Sequence, residues 1–242
     1  MSELPATPTA NDDRIRLAVS LLLRDMRKRP VFLVDGDRTL TPDDTSRTFL
    51  KRAGLDPLQI KERFQRDGYV YDAFRFHAEV HLRLGDDVFA DLSPRVAEGV
   101  QLHAGAAAFL SEASRRACVV VVSAGIPQVW RAILHRNHLD HIAVLGGIDP
   151  ANPFVFGRRE KGFVTEIVRE HASRVVGVGD SDVDTEMLLQ SHDAVVVVNH
   201  RRNADLLPNV VSHPSLWQIV AQGVPHPDIR TISFDRLTDL LD

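Results

Sequence analysis

Short valine-rich runs punctuate the chain. Val31–Val34, Cys118–Val122, Val175–Val178 and Ala194–Val198 are apolar without alternation, and Ile142–Leu145 is a weaker fifth. Such runs predict strands buried on both faces, as in a parallel sheet covered by helices. Between them, apolar residues recur at helical spacing in Ala104–Arg116, Pro127–His138, Lys161–Ala172 and Asp184–Ser191. Strands that alternate with helices predict an α/β fold with a parallel central sheet.

Three stretches depart from that rhythm. Asp12–Lys28 reads as a helix ahead of the first strand, with Asn11 or Asp12 placed to cap it. Residues 1–11 are expected to be a flexible terminus and have no secretory signal pattern. Residues 41–102 hold no convincing strand; Ser46–Ala53, Pro57–Gln65, Tyr71–Leu84 and Asp86–Glu98 are charged and amphipathic. They predict a small helical cap domain inserted into a core made of residues 12–40 and 103–242. Past Asn199 the pattern predicts a short strand near Val210–Val211 and a helix near Pro214–Val220.

Composition narrows the function classes. The 242 residues are 44% hydrophobic and 26% charged, which is ordinary for a globular protein and too apolar for a disordered one. No apolar run is long enough to span a bilayer, so no membrane association is expected. A net charge of -4 argues against a general nucleic-acid binder. Cys118 is the only cysteine, which excludes an internal disulfide and suits a cytoplasmic protein. A monomer or a homodimer fits equally.

The ends of the predicted strands carry the chemistry, because ligands of α/β sheets bind beyond the carboxyl ends. Asp35-Gly36-Asp37-Arg38-Thr39 follows the first strand, Ser123-Ala124-Gly125 the second, and Gly179-Asp180-Ser181 the strand at Val175–Val178, with Asp184 close behind. Lys161 opens a predicted helix. Acids joined by a glycine repel unless a divalent cation lies between them, and oxygen ligands suit Mg²⁺. Asp180 supplies a third carboxylate. With a phosphate ester, Asp35 could attack phosphorus and Asp37 could move the proton of the leaving group and then of water. Ser123 and Lys161 could hold phosphoryl oxygens, and Gly36 could allow close backbone approach.

These four motifs, in this order, resemble those of the haloacid dehalogenase (HAD) superfamily over about residues 30–200. The resemblance implies a Rossmann-like three-layer core with a helical cap between the first and second motifs, a layout shared with phosphoserine phosphatase-like members. It implies Asp35 as nucleophile and Asp37 as general acid and base. It implies Mg²⁺ held by the Asp35 side chain, the Asp37 carbonyl and Asp180, with Ser181 and Asp184 supporting the ion. Gly36, Ser123, Ala124 and Lys161 would bind phosphate. An acid two residues after the nucleophile is similar to the family's phosphatases and phosphomutases. The expected activity is therefore hydrolysis of a small phosphorylated metabolite. Alternatives are a phosphomutase with the same intermediate, or a non-catalytic binding protein on this scaffold.

Two features depart from the family pattern. Arg38 stands where a small or neutral residue is usual; it either lies outside the site or adds charge beside the phosphate. In the cap, Phe76 aligns near the arginine that holds the carboxylate in phosphoserine phosphatases, with Arg75 adjacent. Tyr69, Tyr71, Arg75 and Phe76 are the expected substrate-facing residues, with Tyr71 and Arg75 on one helix face. A phosphonate hydrolase would need a desolvated cap lysine, and nothing marks Lys51 or Lys61 as one. His77 and His81 have metal-ligand spacing without a third ligand, so packing is expected. His135, His138 and His141 read as a solvated helix end, Trp130 and Trp217 as packing residues, and Arg201 with Arg202 as a turn.

Overall fold

The computed structural model describes residues 3–199 and 203–242. The valine runs form strands β1 (Pro30–Val34), β2 (Cys118–Ser123), β3 (Ala143–Gly146), β4 (Arg174–Gly179) and β5 (Asp193–Val198). With β6 (Leu216–Val220) and β7 (Arg230–Thr231) they make one seven-stranded sheet, order β3-β2-β1-β4-β5-β6-β7. Every pairing is parallel. The expected α/β class is what the structure shows.

Alternate side chains of each strand enter different layers. Phe32, Val34, Val119, Val121, Val176 and Val178 pack on one face, and Val31, Leu33, Val120, Val122 and Val175 on the other. Full burial of such residues contributes roughly 1.5–3 kcal/mol each. The first face is covered by α6 (Ala106–Arg116) and α7 (Pro127–Arg136), the second by α1 (Pro8–Met26) and α8 (Arg158–Arg169).

Four helices fill the interval after β1: α2 (Thr45–Arg52), α3 (Leu58–Asp67), α4 (Tyr71–Leu82) and α5 (Asp86–Glu98). They do not pack as one block. Phe49 of α2 and Phe89, Leu92 and Val96 of α5 join the main core cluster. Leu50, Ile60 and Val80 form a separate cluster with Leu55, Phe64 and Phe76, which binds α3 to α4.

Two local expectations are corrected. Helix α1 starts at Pro8, with the Thr7 hydroxyl accepting from Ala10 N at 3.2 Å, so Thr7 is the cap. Pro8 suits the first helical position because its missing N–H has no helical partner there. Asn11 is instead buried inside the helix, where its amide exchanges two hydrogen bonds with the Val155 backbone. The tail is also reversed. After α9 (Thr185–Gln190), Asn203–Val210 is helix α10, and Leu216–Val220 is the strand. Leu206 and Val210 pack on Leu188, Ala194 and Val196, while β5 offers Leu216–Val220 a parallel edge to extend. Arg201 and Arg202 lie outside the described residues. No helix among those described is long and apolar enough to cross a membrane.

Candidate active site

The register of the sheet brings the motifs together. Val34 pairs with Val121 of β2 and with Val178 of β4, so the residues that follow these strands emerge side by side. The strand order turns at β1, and the crevice above β1 and β4 is where α/β sheets bind ligands. Asp35, Asp180 and Asp184 offer carboxylate oxygens within 4.8 Å of one another there.

One buried lysine serves this cluster. Lys161 Nζ donates to Asp35 Oδ1 at 2.5 Å and to Asp184 Oδ1 at 2.6 Å. Burial works against its charge, but Asp184 and Asp35 hold its pKa above the usual lysine value. Asp184 is fully engaged: its Oδ2 also accepts from Asp180 N, Ser181 N and Ser181 Oγ. It therefore orients the lysine and the loop. Asp35 is raised to about 6, by burial and the Asp184 charge, despite Lys161. Asp180 is raised to about 8, by burial and then by Asp35 and Asp184. Among the described residues Asp180 has no ion pair; it accepts from Asn199 Nδ2 at 3.1 Å and Thr39 Oγ1 at 3.4 Å. The cluster thus holds more buried negative charge than Lys161 balances. Oxygen donors in that state fit a divalent cation.

Asp37 occupies a separate nest. Its Oδ1 accepts from Thr45 Oγ1 at 2.7 Å and Trp130 Nε1 at 3.2 Å, and its Oδ2 from Thr45 N at 3.1 Å. Burial, with Asp44 next, raises it to about 7. The acid is thereby tied to the first residue of α2. Thr39, fully buried, reaches Asp35 Oδ2 at 2.9 Å. Its placement follows from Arg38, whose φ of 66° tightens the turn that ends with Leu40 N donating to Gly36 O. The Arg38 side chain pairs with Asp44, so it faces the site as half of a neutral pair.

Packing gives a reason for Gly36 of its own. A Cβ there would stand 2.3 Å from the Trp130 ring. The glycine admits the indole that holds Asp37. Gly36→Ala should destabilise the fold by about 1–3 kcal/mol, the usual cost of overpacking. Urea titration checks this; an unchanged midpoint would show that Trp130 moves freely.

Above these groups lies a cavity of about 780 Å³. Asp35, Asp37, Ser123, Ala124, Lys161, Asp180 and Ser181 line its floor. Gly125, not singled out from the sequence, lines it too and donates to Ser123 Oγ at 3.0 Å. Of the four expected substrate-facing residues, only Tyr69 lines the cavity. Tyr71, Arg75 and Phe76 are turned elsewhere. Arg75 pairs with Glu79 and donates to Ala6 O, and Phe76 packs in the α3–α4 cluster under Arg63. Phe74 and His77 present the opposite face of α4 to the cavity, with Ser46, Leu50 and His81 beside them. Phe74 is buried against Gly157, and this contact fixes the helix's rotation.

His77 and His81 are a neutral packed pair, ring centroids 4.8 Å apart. Burial, with the neighbouring His81, lowers His77 to about 3. The unfolded chain takes up that proton near pH 6.5, so stability is full above about 6.5 and falls as pH drops toward 3. Between pH 7 and 5 the loss from His77 is about 2 kcal/mol. His77→Phe should flatten that slope in urea titrations; an unaltered slope would assign it to other groups.

A family model described as haloacid dehalogenase-like hydrolase matches residues 32–189. No curated protein matches the chain. Three solved structures show what the fold is similar to. A phospho-aspartyl intermediate analogue of phosphoserine phosphatase superposes with a TM-score of 0.54 at 16% identity, covering 78% of this chain and 93% of that one. A phosphoserine phosphatase from T. onnurineus, in complex with NDSB-201, gives 0.51 at 16%, over 89% and 94%. A HAD family hydrolase from Salmonella enterica subsp. enterica serovar Typhi gives 0.54 at 12%, over 88% and 84%. The matched family model spans strands β1 to β4, the acidic cluster and Lys161, and the chain belongs to the haloacid dehalogenase-like hydrolases.

Proposed function

We propose that the protein is a Mg²⁺-dependent phosphatase of a small soluble phosphomonoester, acting through an aspartyl-phosphate on Asp35. One observation carries the reading. The buried carboxylate of Asp35 sits against a buried lysine in the lining of a cavity, near a second acid, Asp37, raised to about 7.

Lys161 and Ser123 bind and orient the phosphoryl oxygens. An Asp35 oxygen attacks phosphorus, its bond to phosphorus forms, and the bond to the leaving oxygen breaks. Asp37 donates the proton that the leaving oxygen needs. A water then attacks the aspartyl-phosphate, Asp37 takes its proton, and phosphate leaves with Asp35 restored. A group raised to about 7 can both give and take a proton at neutral pH. Asp35, Asp180 and the Asp37 carbonyl would hold Mg²⁺, with Asp184 and Ser181 supporting the loop. When bound, the ion supplies charge neutralisation for the phosphoryl oxygens. Helices α2–α5 act as a cap whose α3–α4 pair screens the cavity from bulk water.

The test is phosphate release from a panel of phosphorylated metabolites, with Mg²⁺ and with excess chelator. Release that depends on Mg²⁺ is expected, with Ca²⁺ inhibitory because its looser coordination disturbs in-line attack. Full activity in chelator would remove the metal role. An isomerised product without free phosphate would favour a mutase, and binding without turnover a non-catalytic protein.

A further inference from the structure

Among the described residues, the cations of the helical insert that lack a carboxylate partner gather on one surface, Arg52 apart. Arg63 and Arg66 pair with Asp67, Arg75 and Arg83 with Glu79, and Arg95 with Asp91. Arg52 donates to the Arg95 carbonyl. Arg47, Lys51 and Lys61 remain, and among the described residues no side-chain partner meets them. These same three line the cavity.

An unpaired cation is common on a surface, and three gathered at a cavity mouth are not neutral decoration. Arg47 and Lys51 are four residues apart on α2, so they share a face and repel each other. Lys61 adds a third charge from α3. Nearby carboxylates balance them only in part. Asp44 is matched to Arg38, and Asp56, which accepts from the Leu58 backbone N–H across the start of α3, keeps its charge and offsets one of the three cations. The field at the insert side of the cavity is positive, while the floor is a cluster of acids. Positive charge at a low-dielectric cleft concentrates anions.

A second observation lies beside the floor, next to Gly125. Ser46 is 6% exposed, lines the same cavity, and its Oγ has no hydrogen-bond partner. A buried hydroxyl left unsatisfied is costly unless a ligand meets it. A cavity of about 780 Å³ also holds much more than one phosphoryl group.

We infer that the substrate is doubly anionic: a phosphomonoester whose leaving group carries a second carboxylate or phosphate, held by Arg47, Lys51 and Lys61. Ser46 Oγ would bind a polar atom of the substrate on the floor side of the cavity. This rests on the phosphatase reading, which places the reacting phosphoryl group at Asp35. Arg47, Lys51 and Lys61 are specificity residues in it, with no part in bond making.

Matched esters test the inference. Glycerol 3-phosphate is compared with 3-phosphoglycerate, which adds a carboxylate, and fructose 6-phosphate with fructose 1,6-bisphosphate, which adds a phosphate. The doubly charged member of at least one pair should have kcat/KM at least about tenfold higher, mostly through KM, and added NaCl should erode the difference. The pair that shows the larger ratio identifies carboxylate or phosphate. The triple variant Arg47→Ala, Lys51→Ala, Lys61→Ala should collapse the ratio toward one, whereas Arg83→Ala, on the outer face, should leave it intact. Equal kcat/KM within both pairs, or a ratio that survives the triple variant, overturns the inference. The same compounds are also titrated calorimetrically into the Mg²⁺-loaded protein. If no ester is turned over, the phosphatase reading fails by itself. Tighter binding of the doubly charged member, lost in the triple variant, would then still support the anion site, and equal binding would overturn it.

Discussion

Asp35→Asn should abolish phosphate release while leaving a folded protein. The amide keeps the shape of the carboxylate: its oxygen can still accept from Lys161 Nζ, its NH2 can donate to Thr39 Oγ1, which then accepts instead of donating, and Lys161 keeps its ion pair with Asp184. The substitution also removes a carboxylate that burial and Asp184 already push to about 6. Stability should therefore fall by no more than about 1 kcal/mol, the scale of one hydrogen bond. Activity is another matter, because an amide cannot form the acyl phosphate. A loss of at least about a thousandfold in kcat is expected, equivalent to about 4 kcal/mol of barrier. Circular dichroism, urea titration and phosphate release on one preparation check both halves. A folded variant that keeps more than about a tenth of the rate would assign the nucleophile elsewhere.

Lys161→Met should damage stability most. Lys161 is 1% exposed, and its ammonium is the only cation in hydrogen-bond contact with Asp35 and Asp184 among the described residues. Methionine fills the same space without the charge. Removing one partner of a buried pair leaves the other uncompensated and costs about 3–5 kcal/mol. The loss should depend on pH. Without the lysine, which lowers it, Asp35 rises further above its unfolded value than burial and the Asp184 charge already push it. A group raised in the folded state stabilises it at low pH and loses that contribution as pH rises. The deficit should be largest near pH 8 and smaller near pH 5, measured by urea titration in chelator. A pH-independent deficit would point to packing instead.

Much of this arrangement is legible in the sequence because it depends on short-range pattern. Unalternating valine runs can only be satisfied with cover on both faces, and residues after parallel strands must share an edge. Asp35, Asp37, Ser123, Lys161 and Asp180 therefore fall together from their positions alone. Groups that come from distant segments carried no such signal. Trp130 reads as a packing residue, since nothing in its helix shows that Nε1 reaches Asp37. Asn199 and Asn203, which hold Asp180 through its side chain and carbonyl, follow a strand whose neighbours do not mark them. Thr39 is inside the first motif, but its hydroxyl reaches Asp35 only through the left-handed turn at Arg38.

The insert failed differently. The helix at Tyr71–Leu82 was predictable, but its rotation was not. Both faces of α4 carry aromatic and polar residues, and periodicity does not say which one meets a cavity. Packing of Phe74 on Gly157 turns Phe74 and His77 inward and Arg75 outward. In the tail, Leu216–Val220 has helix-compatible composition, and only the free edge of β5 makes it a strand.

Trapping the intermediate tests the role of Asp35 most directly. The Mg²⁺-loaded protein is mixed with a phosphomonoester radiolabelled in its phosphoryl group, quenched in acid within one turnover, digested and mapped. Label should sit on the peptide carrying Asp35, should be released by hydroxylamine as an acyl phosphate is, and should be absent from Asp35→Asn. Phosphate release from the wild-type protein with no label on that peptide, or label on another residue, would contradict it.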